Sequence, residues 1–161
     1  IRLRELMQGK RIPRVPVYVD SPMALSSLEF YREAITAHSP EIRADIAQEW
    51  AGRDPFDSGT LHEMRSVEQS KSLNDLTAPS IIVSASGMAT GGRVVHHLAH
   101  MLPNPKNTVV MVGYQAIGIT IGAGIGLGQQ HIGQFVNNFF YGFLFFLVLV
   151  LPCGNVAGKQ Q

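Results

Sequence analysis

The chain has 161 residues, a formal net charge of +1 and one cysteine. That length suffices for one domain with a real core, able to bury about 68–70% of its unfolded surface. The balanced charge says little about partners, and the lone Cys153 excludes an internal disulfide framework and a thiolate-only metal site, in agreement with a reducing compartment.

Charge is distributed unevenly along the sequence. Residues 1–106 hold all twelve Asp and Glu and all but one of the thirteen Lys and Arg. From Asn107 to Gly158 there is no charged residue, and only Lys159 follows. Soluble domains carry charge at about a quarter of their residues, so the last third reads as a different kind of sequence.

In chain order, Ile1–Gly9 fits the end of a helix with Leu3, Leu6 and Met7 on one face and Gly9 as the stop. The amino end carries neither an initiator Met nor an apolar signal core, and reads as a chain entered midway. Lys10, Arg11 and Arg14 read as a solvated basic connection. Val15–Val19 is an apolar strand ended by Asp20-Ser21-Pro22, with Ser21 as N-cap and Pro22 in the first turn of a helix running to Ile35. Glu41–Trp50 has helical spacing, residues 52–59 read as an irregular loop, and Leu61–Arg65 is a short strand or turn. Ser66 and Gln69 stand at capping-box spacing before a helix over Ser66–Asn74.

Ile81-Ile82-Val83 has the look of a buried strand, followed by a small-residue loop and a helix with Val94, Val95, Leu98 and Leu102 apolar. Thr108–Tyr114 is a further apolar strand. Continuously apolar strands followed by helices predict a parallel sheet with flanking helices, an α/β fold. Such sheets bind ligands at the carboxyl ends of their strands, which here are Asp20-Ser21, Ser84–Gly92 and Gly113–Gln115.

Within Ser84–Arg93, glycines permit close backbone approach to a phosphate and hydroxyls add donors. Arg93 in the first helical turn opposes the helix dipole, so either a bound phosphate or a protein carboxylate must justify it. His96 and His100 lie four apart on one helical face, but the intervening acid of a zincin is absent. His96, His97 and His100 therefore read as surface histidines, as do the isolated His38 and His62. Asp20 is either a functional carboxylate or a turn cap, and no Ser-His-Asp or Cys-His spacing stands out.

Past Ile117 glycine alternates with apolar residues without meeting the dinucleotide fingerprint, because Leu127 stands where Gly or Ala is required. Phe139–Leu151 is thirteen nearly all apolar residues, short of the roughly twenty that span a bilayer. Extending it back to Ile132 includes Gln134, Asn137 and Asn138. The run also has the character of an aggregation-prone segment.

Val15–Ala24, Asp54-Pro55-Phe56, Arg65–Lys71, Ser84–Val94 and Val112–Ala116 together resemble the β-CASP domain of the metallo-β-lactamase-fold RNA-processing hydrolases. The resemblance divides the chain into a β-CASP fragment over residues 1–116, Rossmann-like in architecture, and a Gly-rich, apolar tail over 117–161. It implies an RNA-specific phosphodiesterase of ribonuclease or mRNA 3′-end-processing type, using two zinc ions to activate a water. This part would cap the active site and hold RNA phosphate through Ser84, Ser86, Gly87, Met88, Gly91, Gly92 and Arg93, with Asp20 and Ser21 at the neighbouring strand end. The implied partners are RNA, a metallo-β-lactamase domain and a second copy of the chain. The implied location is the cytoplasm, and no membrane partner is expected.

The family's His-x-His-x-Asp-His and Ser-Ala-His-Ala-Asp-like motifs do not occur in the 161 residues. No catalytic residue or metal ligand is therefore assigned, and the chain alone is expected to be inactive. The loss of family pattern near Ile117 suggests a shifted reading frame or truncation. Two other classes compete: a non-catalytic RNA- or phosphate-binding module, and a membrane-anchored interaction protein using Ile132–Leu151.

Overall fold

The computed structural model describes residues 2–85, 91–111 and 132–134. Three short parallel strands form its main sheet: β1 (Val17–Val19), β2 (Leu61–Glu63) and β3 (Ile81–Val83), in the order β2-β1-β3. Val17 lies opposite Leu61 and Ile81, and Val19 opposite Glu63 and Val83. The ladder continues one residue beyond the strands, where Asp20 N donates to Val83 O and Met64 N donates to Val19 O.

The two-residue period of a strand sends alternate side chains to opposite faces. On one face Val17, Ile81 and Val15 pack with Met7 of α1 (Arg2–Gln8), and Val19 packs with Ala24 and Leu25 of α2 (Pro22–Thr36). On the other face Ile82 joins Leu73 of a 3-10 turn (Leu73–Asp75), then Val94, Leu98 and Met101 of α5 (Arg93–Met101). Ile82 and Val94 are fully sealed. Helices on both faces explain why β1 and β3 are continuously apolar.

The remaining helices are α3 (Ala44–Glu49) and α4 (Val67–Ser72). Ser21 caps α2 by accepting from Ala24 N, and Pro22 occupies its first turn. Ser66 and Gln69 make the reciprocal capping box of α4. Helix α3 is shorter than Glu41–Trp50, because residues 39–42 form a turn in which Ile42 N donates to Ser39 O.

One expectation about the sheet is corrected. The apolar run at Thr108–Tyr114 contributes β4 (Val109–Met111), which pairs with β5 (Ile132–Gln134) in a separate parallel sheet rather than with β3. Val109 packs against the α5 cluster instead. Residues 112–114 and most of the tail, including Phe139–Leu151, lie outside the described residues. Among the described residues no helix is long and apolar enough to cross a membrane.

Candidate nucleic-acid interface

The carboxyl ends of β1, β2 and β3 lead directly into α2, α4 and, across residues 84–92, α5. Asp20 stands where β1 ends. It is sealed from solvent, and its carboxylate is enclosed by donors. Oδ1 accepts from Arg93 Nη1 at 2.6 Å, while Oδ2 accepts from Ser70 Oγ at 2.5 Å and faces His97 Nε2 at 2.6 Å. Its backbone carbonyl accepts from Ser84 Oγ at 2.9 Å. One residue thus gathers the end of β3, helix α4 and two successive turns of α5.

Burial alone would push the Asp20 carboxyl up, by disfavouring its charged form. The hydrogen bonds from His97, Ser70 and Arg93 outweigh that and hold it below the ordinary carboxylate value. An ionised carboxylate can only accept, so His97 carries a proton on Nε2. Its other nitrogen, Nδ1, lies 3.3 Å from the Asn74 side-chain oxygen.

Arg93 has a protein carboxylate, Asp20, as one partner. Nη1 also donates to Met64 O at 2.8 Å and Nη2 to Arg65 O at 3.3 Å, so the guanidinium ties α5 to the end of β2. About a fifth of its side chain remains open to solvent. The favourable ion pair offsets the unfavourable position of a cation at a helix N-terminus. Before it, Gly92 serves as N-cap at φ 81°, ψ −173°, a backbone region that side-chain-bearing residues avoid.

A second charged network lies beside this rim. Arg32 on α2 bridges Asp54 and Glu63, both at 2.7 Å, and Arg65 joins Glu63 at 2.6 Å and Glu29 at 2.7 Å. Burial lowers and the carboxylate hydrogen bonds raise the Arg32 value, with a net upward shift. The hydrogen bond from Arg32 holds Glu63 below its usual range, against the opposing effect of burial.

The residues expected to hold phosphate fall into three groups. Asp20, Ser21 and Ser84 are buried, with their polar atoms engaged inside the protein. Gly91 and Gly92 are exposed at the start of α5, with Arg93 partly open beside them. Ser86, Gly87 and Met88 lie outside the described residues.

His97 corrects the sequence reading. It is not a surface histidine but is 1% exposed and bonded to Asp20, whereas His96 and His100 are exposed. The signal was its spacing: Val94, His97, Leu98 and Met101 form one buried stripe. Ser70 was missed too, and only the capping box that fixes α4 hinted at its place. Among the described residues, no group of three or more His, Cys, Asp or Glu could hold a metal ion.

Fold and rim define an α/β domain whose strand ends close around a buried aspartate. The sequence profile of the Beta-Casp domain matches residues 1–125, past the expected boundary at 116, and the chain belongs to that family. Over 126 residues it is 40% identical to "Ribonuclease TTHA0252" of Thermus thermophilus, covering 78% of this chain and 27% of that protein. It is 34% identical over 145 residues to "Transcription termination factor FttA" of Methanocaldococcus jannaschii, covering 85% of the chain and 22% of that protein. The FttA of Methanosarcina mazei is 35% identical over 137 residues, covering 82% and 20%. The chain therefore spans about a quarter or less of the length of these relatives.

Proposed function

We propose that this chain is the RNA-holding part of a metal-dependent RNA phosphodiesterase, of ribonuclease or RNA 3′-end-processing type. The observation that carries this reading is family membership together with 40% identity to a protein named a ribonuclease. The rim fits the role. A glycine pair at the N-terminus of α5 leaves backbone N–H groups open to a phosphate, and Arg93 supplies charge beside them. Asp20, Ser21 and Ser84 act in this reading as the frame, because their polar groups face inward.

In the whole protein two zinc ions, held by a metallo-β-lactamase domain, would activate the water that attacks the phosphodiester. The described residues do not fit such a centre, and none of them is assigned to that step. A cytoplasmic location and self-association belong to the same reading.

A binding module without chemistry is the second reading. It is favoured by the saturation of the Asp20 cluster, whose carboxylate, hydroxyl and imidazole are all engaged internally. One experiment tests both. The purified chain is titrated into a fluorescent single-stranded oligoribonucleotide at low and high salt, then incubated with it in the presence of Zn²⁺. Salt-sensitive binding without cleavage is expected of this chain. Absence of binding at low salt overturns both readings, and zinc-dependent cleavage rules out the binding module.

A further inference from the structure

We propose that Arg93 receives a phosphate oxyanion side-on, through its Nε–H and outer Nη2–H, and that Asp20 is the positioning residue that aims this edge. The inference deepens the RNA-holding reading above and rests on it. A guanidinium has five N–H donors in a rigid plane. Three are accounted for: Nη1 donates to Asp20 Oδ1 and Met64 O, and Nη2 donates once to Arg65 O. Among the described residues the two that remain, on Nε and Nη2, take no partner. Nε and Nη2 flank one edge of the guanidinium plane, the edge that can bind two oxygens of a phosphate or carboxylate at once. About a fifth of the Arg93 side chain is open to solvent, and the exposed Gly91 and Gly92 precede it directly in sequence.

The inner edge is fixed unusually well for a residue at a helix start. Asp20 is held from both ends: its backbone N–H is in the β1–β3 ladder and its other carboxylate oxygen is bonded by Ser70 and His97. Met64 and Arg65 carbonyls close the same side from the end of β2. The side chain thus loses its rotamer freedom on folding rather than on binding, so a phosphate arriving at the outer edge does not bear that cost. This arrangement removes the conflict between the two readings of Arg93. The protein carboxylate and the phosphate take opposite edges of one guanidinium.

The test uses the full chain and a fluorescent single-stranded oligoribonucleotide, with binding followed by anisotropy and the Arg93 Nε–H resonance followed by NMR. In the wild type, saturation with RNA should shift and sharpen the Nε–H signal. Arg93→Lys keeps the charge but loses the two-donor edge, and should weaken binding by about tenfold. Asp20→Asn should weaken it by several-fold and leave the Nε–H signal broad with RNA present. Phosphate contact by Arg93 is overturned if RNA binds and the wild-type Nε–H does not move, an outcome that needs no variant to fold. The positioning role of Asp20 is overturned if Asp20→Asn binds as tightly as wild type or tighter, as it would if the carboxylate merely competed with phosphate. A wild-type chain that binds no RNA refutes the parent reading instead.

Discussion

Asp20 and His97, 77 residues apart in sequence, meet at 2.6 Å between Oδ2 and Nε2, with both side chains closed to solvent. Charged groups in such a place persist only when paired, since taking them out of water costs several kcal/mol each. Asp20→Ala removes the partner of both Arg93 and His97, and should destabilise the chain by about 3–5 kcal/mol. Asp20→Asn should cost less. An asparagine amide can donate to His97 Nε2, with the ring proton then carried on Nδ1 facing Asn74. Urea denaturation followed by circular dichroism measures both. Equal losses in the two variants would show that the tautomer does not adapt.

The same carboxylate fixes a direction of pH dependence. The folded Asp20 has its pKa below the ordinary aspartate value, so the unfolded chain binds its proton first as acidity rises. Its contribution is fully present above the unfolded value, shrinks as pH falls between the two values, and is gone below the folded one. Asp54 and Glu63 shift the same way, each against the opposing effect of burial in Asp54 and with the Arg32 bond leading in Glu63. Stability should therefore fall steeply below about pH 4. Asp20→Asn should make that acid limb shallower without abolishing it. An unchanged slope would remove Asp20 from the linkage.

Gly91 and Gly92 offer a clean comparison, since a Cβ at either would meet nothing within 4 Å among the described residues. Only Gly92 has positive φ, at 81°. Gly92→Ala should cost about 1–3 kcal/mol through backbone strain alone, and should disturb the first turn of α5. Gly91→Ala should leave the denaturation midpoint close to wild type. A tolerated Gly92→Ala would mean that the turn adopts another conformation.

These residues also mark what local sequence can and cannot express. The start of α2 is legible because Ser21 and Pro22 encode cap and first turn within two positions, and Ser66 with Gln69 does the same for α4. Three apolar residues at Ile81–Val83 suffice to announce a buried strand. The pairing of β4 is not legible, because its ladder partner lies beyond twenty intervening residues and, as Ile132-Gly133-Gln134, carries no apolar strand pattern. At the rim, local spacing places Val95 and Leu102 in the apolar stripe of α5. The buried stripe instead runs through His97 and Met101, since a sealed carboxylate at Asp20 makes a histidine more fitting there than an aliphatic side chain. That reason sits in a distant strand, so no window around His97 contains it.

The ion pairs of Arg32 and Arg65 allow burial to be separated from distance. Both arginines contact two carboxylates at 2.6–2.7 Å, and both share Glu63. Side-chain exposure differs: 26% for Arg32 against 59% for Arg65. Exposed pairs are screened by solvent and salt and gain little, whereas a half-buried cation held by two carboxylates leaves both under-solvated when it is removed. Arg32→Met should cost about 1–3 kcal/mol, with Asp54 and Glu63 returning toward ordinary carboxylate values. Arg65→Met should leave the urea midpoint unchanged within error at physiological salt. If the two variants lose the same stability, contact distance rather than burial governs these pairs. If Arg65→Met is the worse, its backbone carbonyl, which accepts from Arg93 at 3.3 Å, has moved with the side chain, and the rim geometry depends on that exposed residue as well.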